Sequence, residues 1–200
     1  MQFAAADAII LSVRPHGEAG AVVRALTAAN GLLAGYVQGA KSRTLRPVLI
    51  AGNIVKAEWR GRVPGQLLSM TAELQRSRAH LLSEPLATAA LEWACALTAA
   101  TLPEGHPYPR LHSALDGLLT AVELSPAARG WAPSMVRYEA LLLSELGYGG
   151  GDVAAADTAT ALLAMAQNRE ALIVHILGDR RAEVIAARES SAAHDLGPRV

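Results

Sequence analysis

The sequence predicts an α+β protein with two domains, a small five-stranded β-barrel followed by an α-helical domain. Two observations lead to this fold class. The first half contains five short apolar runs that are separated by turn residues, and no long helical period interrupts them. The second half contains longer segments with apolar residues at i, i+3 and i+4 spacing. Strands without intervening helices favour a barrel or sandwich over a sheet built from parallel strands and crossover helices.

Each of the five apolar runs is short enough to form a single strand. They are Ala8–Val13, Ala21–Thr27, Leu32–Gln38, Val48–Trp59 and Gln66–Leu74. Turn residues at 14–17, 30–31 and 64–65 separate several of them. A five-stranded barrel of the oligonucleotide-binding (OB) type matches this number of strands and this chain length. Another small barrel with the same strand count fits the pattern as well.

The second half is predicted to form helices. The first helix follows Ser83, which is placed to cap it, and its apolar residues run from Leu86 to Leu97. A second helix follows the break at 103–109, and a third begins at 125–126 or 133–134 and ends at Gly147. A last helix is predicted from Arg169 to Arg188. The junction lies between Arg76 and Ser83, which predicts domains of residues 1–78 and 79–200.

Charge is distributed unequally along the chain, although 18 basic and 18 acidic residues balance in total. Residues 1–80 contain ten basic and four acidic residues and carry +6. Residues 81–200 contain eight basic and fourteen acidic residues and carry −6. A positively charged half is suited to a polyanion such as nucleic acid. The alternative is an ordinary solvated surface.

A basic loop follows the third predicted strand. The stretch GYVQGAKSRTLRP, residues 35–47, contains three cations and no acid. Cations on a loop at the rim of a barrel are able to reach phosphates, whereas the alternative is a solvated turn. Within the predicted barrel, only Tyr36 and Trp59 offer aromatic rings beyond Phe3, which favours backbone contact over base stacking. The predicted DNA-binding residues are Arg14, Arg24, Lys41, Arg43, Arg46, Lys56, Arg60 and Arg62.

Several other kinds of function find no support in the residue pattern. The single cysteine, Cys95, excludes an internal disulfide and a multi-cysteine zinc site, and the six histidines lack metal-ligand spacing, so no metal or cofactor is predicted. His16 and Glu18 are neighbours in sequence, but no nucleophile accompanies them, so no enzyme is predicted. No apolar run is long enough for a transmembrane helix, and no signal peptide is recognised. We therefore expect a cytoplasmic protein with no membrane partner.

Three stretches resemble the RecO family of recombination mediators. The stretch AIILSVRPHGEAGAVVRALTAANGLLAGYVQGAKS, residues 8–42, is similar to the opening strands of the family. GQLLSMTAEL, residues 65–74, is similar to its closing strand. VRYEALLLSELGYG, residues 136–149, resembles a helical signature of arginine, aromatic residue and glutamate that ends in Leu-Gly-Tyr/Phe-Gly. The resemblance spans nearly the whole chain.

The resemblance implies an N-terminal OB barrel, a C-terminal helical domain and a nucleoid-associated protein of DNA repair. It implies binding of single- and double-stranded DNA and strand annealing. It also implies partnership with RecR and with the C-terminal tail of single-stranded-DNA-binding protein, so that RecA can load. Arg137 matches the signature arginine and is the predicted tail contact, with Tyr138 and Leu141 as groove walls. The alternative is that Arg137 pairs with Glu139 or Glu145.

Two departures from the family pattern limit what the resemblance implies. Some relatives contain a four-cysteine zinc module after the Gly-Tyr-Gly signature, but this chain has only Cys95, so no zinc is predicted. The segment from 151 to about 168 is also short compared with that of many relatives. The resemblance therefore does not predict whether this segment contacts a partner. Two other functions remain possible at this point: an RNA-binding OB module, or a small enzyme with a helical cap.

Overall fold

The fold was analysed in a computed structural model, which describes residues 2–61, 66–125 and 127–148 and the single helical residues 160, 164, 168 and 172. Five strands form a closed barrel in the order β1-β2-β3-β5-β4, in which β4 pairs back to β1. All neighbouring strands are antiparallel except β3 and β5. This confirms the predicted OB-type barrel. The strands are β1 (Gln2–His16), β2 (Gly20–Thr27), β3 (Gly31–Val37), β4 (Ile54–Arg60) and β5 (Leu68–Arg76).

Strand β1 is much longer than its predicted apolar run because it pairs with two neighbours. Its N-terminal part pairs with β4 and its C-terminal part pairs with β2, and register shifts near residues 3–6 and 10–12 interrupt the ladders. Such irregularities bend a strand and let it close a barrel. Ala8 and Ile10 lie in the barrel core, whereas Ile9 and Leu11 pack with the helices. Burial on both faces explains why this stretch lacks the polar alternation of a half-exposed strand.

Residues 48–53 are not part of β4, which corrects the predicted strand Val48–Trp59. They belong to a connection of turns between β3 and β4, in which Leu49 N–H donates to the Leu45 carbonyl at 2.9 Å. Gly52 has a φ of 85°, which favours glycine and does not fit a strand. Leu49 is buried against the barrel core. Its apolar character therefore reflects packing beneath the barrel and not a place in the sheet.

Residues 85–145 form three α-helices, as predicted, with residue 126 outside the described residues. They are α1 (Pro85–Thr101), α2 (Pro109–Leu124) and α3 (Ala128–Glu145), preceded by a short 3₁₀ helix (Ala79–Ser83). Glu84, and not Ser83, is the N-cap of α1, since the Ser83 hydroxyl donates to the His80 carbonyl. The predicted last helix, Arg169 to Arg188, lies outside the described residues except for Leu172, which is buried. Within the described residues, none of the helices combines the length and apolarity needed to cross a membrane.

A hydrophobic cluster that is separate from the barrel core joins the outer face of the barrel to the helices. Leu26 and Leu32 from the outer face of the barrel join Ile9 and Leu11 in a cluster with the buried residues of α1, α2 and α3. The predicted boundary after residue 78 falls between β5 and the 3₁₀ helix, beside this shared cluster, and it stays a prediction. The buried residues Ala21, Ala40 and Leu49 belong to the barrel core and not to this shared cluster.

Candidate nucleic-acid interface

The β1–β2 turn and the β3–β4 connection meet at one end of the barrel, and we call residues 13–21 and 38–50 the barrel mouth. Lys41 joins the two segments. Its backbone N–H donates to the Ala19 carbonyl at 3.4 Å, and its Nζ donates to the Glu18 carbonyl at 2.7 Å. Lys41 therefore stabilises the shape of the mouth and also supplies one of its positive charges.

Consecutive turns determine which side chains of the connection face solvent. Gly39 has a φ of 69°, and Ser42 N–H donates to its carbonyl at 2.9 Å. Arg46 N–H then donates to the Ser42 carbonyl at 3.0 Å, as in one turn of helix. Leu45 and Leu49 pack against the barrel core, while Arg43 and Arg46 are exposed. The helical spacing thus directs leucines inward and arginines outward.

Four exposed cations lie at the mouth: Arg14 at the end of β1, and Lys41, Arg43 and Arg46 on the connection. Among the described residues, none of the four forms an ion pair with a carboxylate. Glu18, in the β1–β2 turn, is the acidic residue of the mouth. We call Arg14, Lys41, Arg43 and Arg46 the mouth cations. Their positive charge exceeds the acidic charge beside them, which suits a run of phosphates.

Three of the other predicted DNA-binding residues form contacts elsewhere in the structure. Arg24 is 25% exposed and donates to the Ala99 carbonyl at 2.6 Å and to Glu104 at 3.4 Å, so it links β2 to the C-terminal end of α1. Lys56 pairs with Asp7 at 3.7 Å, and Arg60 pairs with Glu58 at 2.7 Å, on the outer face of the barrel. Arg62 lies outside the described residues. The structure thus brings four of the eight together.

The two aromatic residues near the barrel differ in accessibility. Trp59 is fully buried in the barrel core, so its ring is not available for a base to stack on. Tyr36 is half-buried on the outer face, where its ring lies against Gly20 and edge-on to His16 at 6.1 Å between centroids. The exposed cations therefore suit contact with a phosphate backbone better than these two rings suit base stacking.

A pocket of about 200 Å³ opens between the two segments of the mouth. Its walls are mostly apolar, and Lys41 and Arg46 are the two charged residues that line it. The sequence alone does not indicate this pocket, because its walls come from β1, β2 and the connection and share no sequence motif. The lining residues are Val13, Pro15, Gly20, Ala21, Ala40, Lys41, Arg46 and Leu49.

The predicted partner-binding residues lie on α3 in different environments. Arg137 is exposed, and Leu141 is partly buried against the helical core. Tyr138 is 1% exposed and its hydroxyl is hydrogen-bonded to Thr98, and burial raises the pKa of the phenol. Tyr138 therefore does not line a surface groove, because its place in the helical pattern points it into the core.

The two acids proposed as partners of Arg137 have other contacts. Glu139 is buried and accepts a hydrogen bond from Trp93 Nε1 at 2.8 Å. Glu145 pairs with Arg110 at 2.9 Å. Within the part of the chain that the structure describes, Arg137 forms no ion pair, so its charge is available to solvent or to a partner.

The described residues contain no group of three or more histidine, cysteine, aspartate or glutamate side chains that could hold a metal ion. Cys95 is buried among the helices, and burial raises the pKa of its thiol to about 12. A thiol with such a pKa is protonated near neutral pH and is a poor nucleophile. Cys95 is thus a core residue of the helical half.

Two family models match the chain. "Recombination protein O N terminal" matches residues 1–78, and "Recombination protein O C terminal" matches residues 82–149. Relatives named "DNA repair protein RecO" include one from Gluconacetobacter diazotrophicus, 42% identical over 147 residues, and one from Rhodospirillum centenum, 46% identical over 144 residues. Each alignment covers 72% of this chain and, respectively, 58% and 56% of the relative. The chain therefore spans little more than half the length of these relatives.

Proposed function

Because the chain belongs to the RecO family, we propose that it is a DNA-binding recombination mediator in DNA repair. It binds single- and double-stranded DNA and anneals complementary strands. Together with RecR, it helps to load RecA on DNA that is coated by single-stranded-DNA-binding protein. The names of the relatives and the basic end of an OB-type barrel support this proposal.

The mouth cations carry the proposal. Arg14, Lys41, Arg43 and Arg46 are exposed, and no described carboxylate pairs with them. Cations that bind phosphates release counterions from DNA, and this release supplies sequence-independent affinity. Two strands held on one cationic surface repel each other less, so annealing requires no catalytic group. The proposed function is therefore not an enzymatic one.

The helical half supplies the proposed protein contact. The tail of single-stranded-DNA-binding protein is acidic with an apolar end, as the family resemblance implies. Such a tail needs a cation beside an apolar surface. Arg137 is exposed on α3 one turn from the partly buried Leu141, which supports a contact at this face.

Strand annealing in two matched double variants tests the proposal. Arg43→Ala/Arg46→Ala removes two mouth cations, and Lys56→Ala/Arg60→Ala removes two exposed cations from the outer face of β4. We expect the first variant to anneal complementary oligonucleotides, free or coated with single-stranded-DNA-binding protein, much more slowly than wild type. The second variant should stay close to wild type. Equal losses in both variants, or full annealing by the first, would contradict the proposal.

A further inference from the structure

The pocket in the barrel mouth combines an apolar interior with a cationic rim. Val13 and Pro15 of β1 form one wall, and Ala40 and Leu49 of the connection form the opposite wall. Lys41 and Arg46 lie at the same opening. A ligand that fits has an apolar, compact body and at least one negative charge beside it.

The walls of the pocket are held in place without a ligand. Lys41 bridges to the β1–β2 turn through two hydrogen bonds, and Leu49 is fixed by its backbone bond to Leu45. The Lys41 ammonium has three donors, and the Glu18 carbonyl accepts one of them. An anion at the rim is therefore able to bind Lys41 without displacing the contact that shapes the pocket.

The volume limits the ligand to a single small group. Pockets for drug-sized molecules have roughly 300 Å³ or more, and this one has about 200 Å³. A single nucleobase is flat and largely apolar on its faces, and it is flanked by phosphates on both sides. Proteins that accept an unstacked base commonly place it between aromatic or apolar side chains.

We propose that this pocket takes one unstacked base of single-stranded DNA, while the mouth cations bind the phosphates on either side of it. This inference rests on the proposed function and adds a base contact to the backbone contacts. Duplex DNA would have to break a base pair to fill the pocket, whereas a single strand pays only for unstacking. The pocket therefore favours single strands and does not depend on sequence-specific hydrogen bonds.

An acidic peptide with an apolar end is the other ligand that fits the chemistry. One carboxylate would use only one or two of the four exposed cations. Arg14 and Arg43 are exposed outside the pocket lining, and this wider spread of positive charge suits a repeating polyanion better. The experiment below distinguishes these two ligands.

The test compares a thymidine oligonucleotide with an abasic oligonucleotide of the same length, which has the same phosphates and no bases. Val13→Phe fills the pocket. Leu74→Phe is the control, because Leu74 of β5 is also apolar and partly exposed, and it is not among the residues that line the pocket. We expect wild type and Leu74→Phe to bind the thymidine oligonucleotide about tenfold more tightly than the abasic one. Val13→Phe should bind both equally, with an unchanged salt dependence.

Equal binding of both oligonucleotides by wild type, or a preference retained in Val13→Phe, would overturn the pocket proposal. If Val13→Phe also loses abasic binding, Ala40→Leu fills the pocket from the opposite wall and decides in the same comparison. A different result would assign the pocket to a peptide. In that case an acidic peptide with an apolar end would compete with DNA for wild type but not for Val13→Phe, and both proteins would prefer the thymidine oligonucleotide equally. Absence of salt-dependent binding to either oligonucleotide would instead refute the proposed function.

Discussion

Arg78 is a charged side chain with no solvent exposure, and its partners come from two other parts of the chain. Its guanidinium donates to the Gly52 carbonyl at 2.7 Å, to Asp116 at 2.6 Å and to Glu123 at 3.1 Å. Its backbone N–H donates to Asn53 Oδ1 at 2.8 Å. One residue thus connects the β3–β4 connection, the end of β5 and helix α2.

Removal of this buried charge should destabilise the protein strongly. Arg78→Met leaves Asp116 and Glu123 without their buried cation, and breaking a buried pair costs about 3 kcal/mol. Arg76→Met is the matched control, since Arg76 binds the same Glu123 but is 43% exposed, and it should cost less than about 1 kcal/mol. Urea unfolding measures both free energies of unfolding. Similar losses in the two variants would contradict a special role for Arg78.

Glu139 predicts a pH dependence of stability. Burial raises the pKa of its carboxyl above the usual 4.5, against the opposing hydrogen bonds from Trp93 and Asn168. Because the folded-state pKa is the higher one, ionisation of Glu139 lowers stability as pH rises through that value. Glu139→Gln should therefore be more stable than wild type at neutral pH. The difference should shrink as pH falls to 4.5 and below, and a pH-independent difference in urea unfolding would refute this origin.

At the scale of elements, the β3–β4 connection depends on a single buried amide. Asn53 is fully buried, and its Nδ2 donates to the carbonyls of Pro47 and Val48, both at 3.0 Å. Its Oδ1 accepts the Arg78 N–H. The Asn53 amide therefore fixes the C-terminal end of the β3–β4 connection. The same connection carries Lys41, Arg43 and Arg46.

Asn53→Ala should loosen this connection without removing any charge. Three hydrogen bonds are lost and buried backbone groups are left unpaired, at a cost of about 3 kcal/mol. We expect faster tryptic cleavage after Lys41 and Arg43 and weaker DNA binding. Asn30→Ala, in the β2–β3 turn, is the control and should leave both unchanged. Wild-type cleavage rates in Asn53→Ala would show that the amide is dispensable.

The sequence predicted the type and order of the elements because each has a local pattern. It did not predict where β4 begins, because Val48 and Leu49 are apolar for a reason that only the tertiary structure reveals: they pack beneath the barrel. The prediction that Ser83 caps α1 was also wrong, because a hydroxyl next to the start of a helix has several possible hydrogen-bond partners. Periodicity predicts that a residue is buried and leaves open what it packs against.

The candidate site was predictable only in part for the same reason. The run of cations without acids located Lys41, Arg43 and Arg46 on the connection. Arg24 has the same charge, yet it contacts Ala99 and Glu104, 75 and 80 residues away, and nothing in the local sequence indicates this. Tyr138 is next to an exposed arginine in the signature but faces the core. Charge is a property of sequence, whereas pairing and exposure depend on the fold.

At the scale of the whole molecule, the barrel mouth and helix α3 are separate surfaces on one body. The shared cluster holds the barrel and the helices together, but Arg137 and the mouth cations have no described contact with each other. Two binding activities on separate surfaces should therefore respond to different mutations.

Arg137→Glu tests this separation. The charge reversal should reduce binding of a peptide from the tail of single-stranded-DNA-binding protein several-fold, and the loss should be larger at low salt because a rim charge pair is screened. DNA binding by the barrel should remain near the wild-type level. A loss of both activities would indicate damage to the fold, and unchanged peptide binding would show that the tail docks elsewhere.

The salt dependence of DNA affinity tests the central claim most directly. Wild type and the folded triple variant Lys41→Ala/Arg43→Ala/Arg46→Ala are titrated with single-stranded DNA at several salt concentrations. If each cation meets a phosphate, the plot of log affinity against log salt should become flatter by about 2–3 units in the variant. The same slope in both proteins would contradict the assignment of the barrel mouth as the DNA-binding surface.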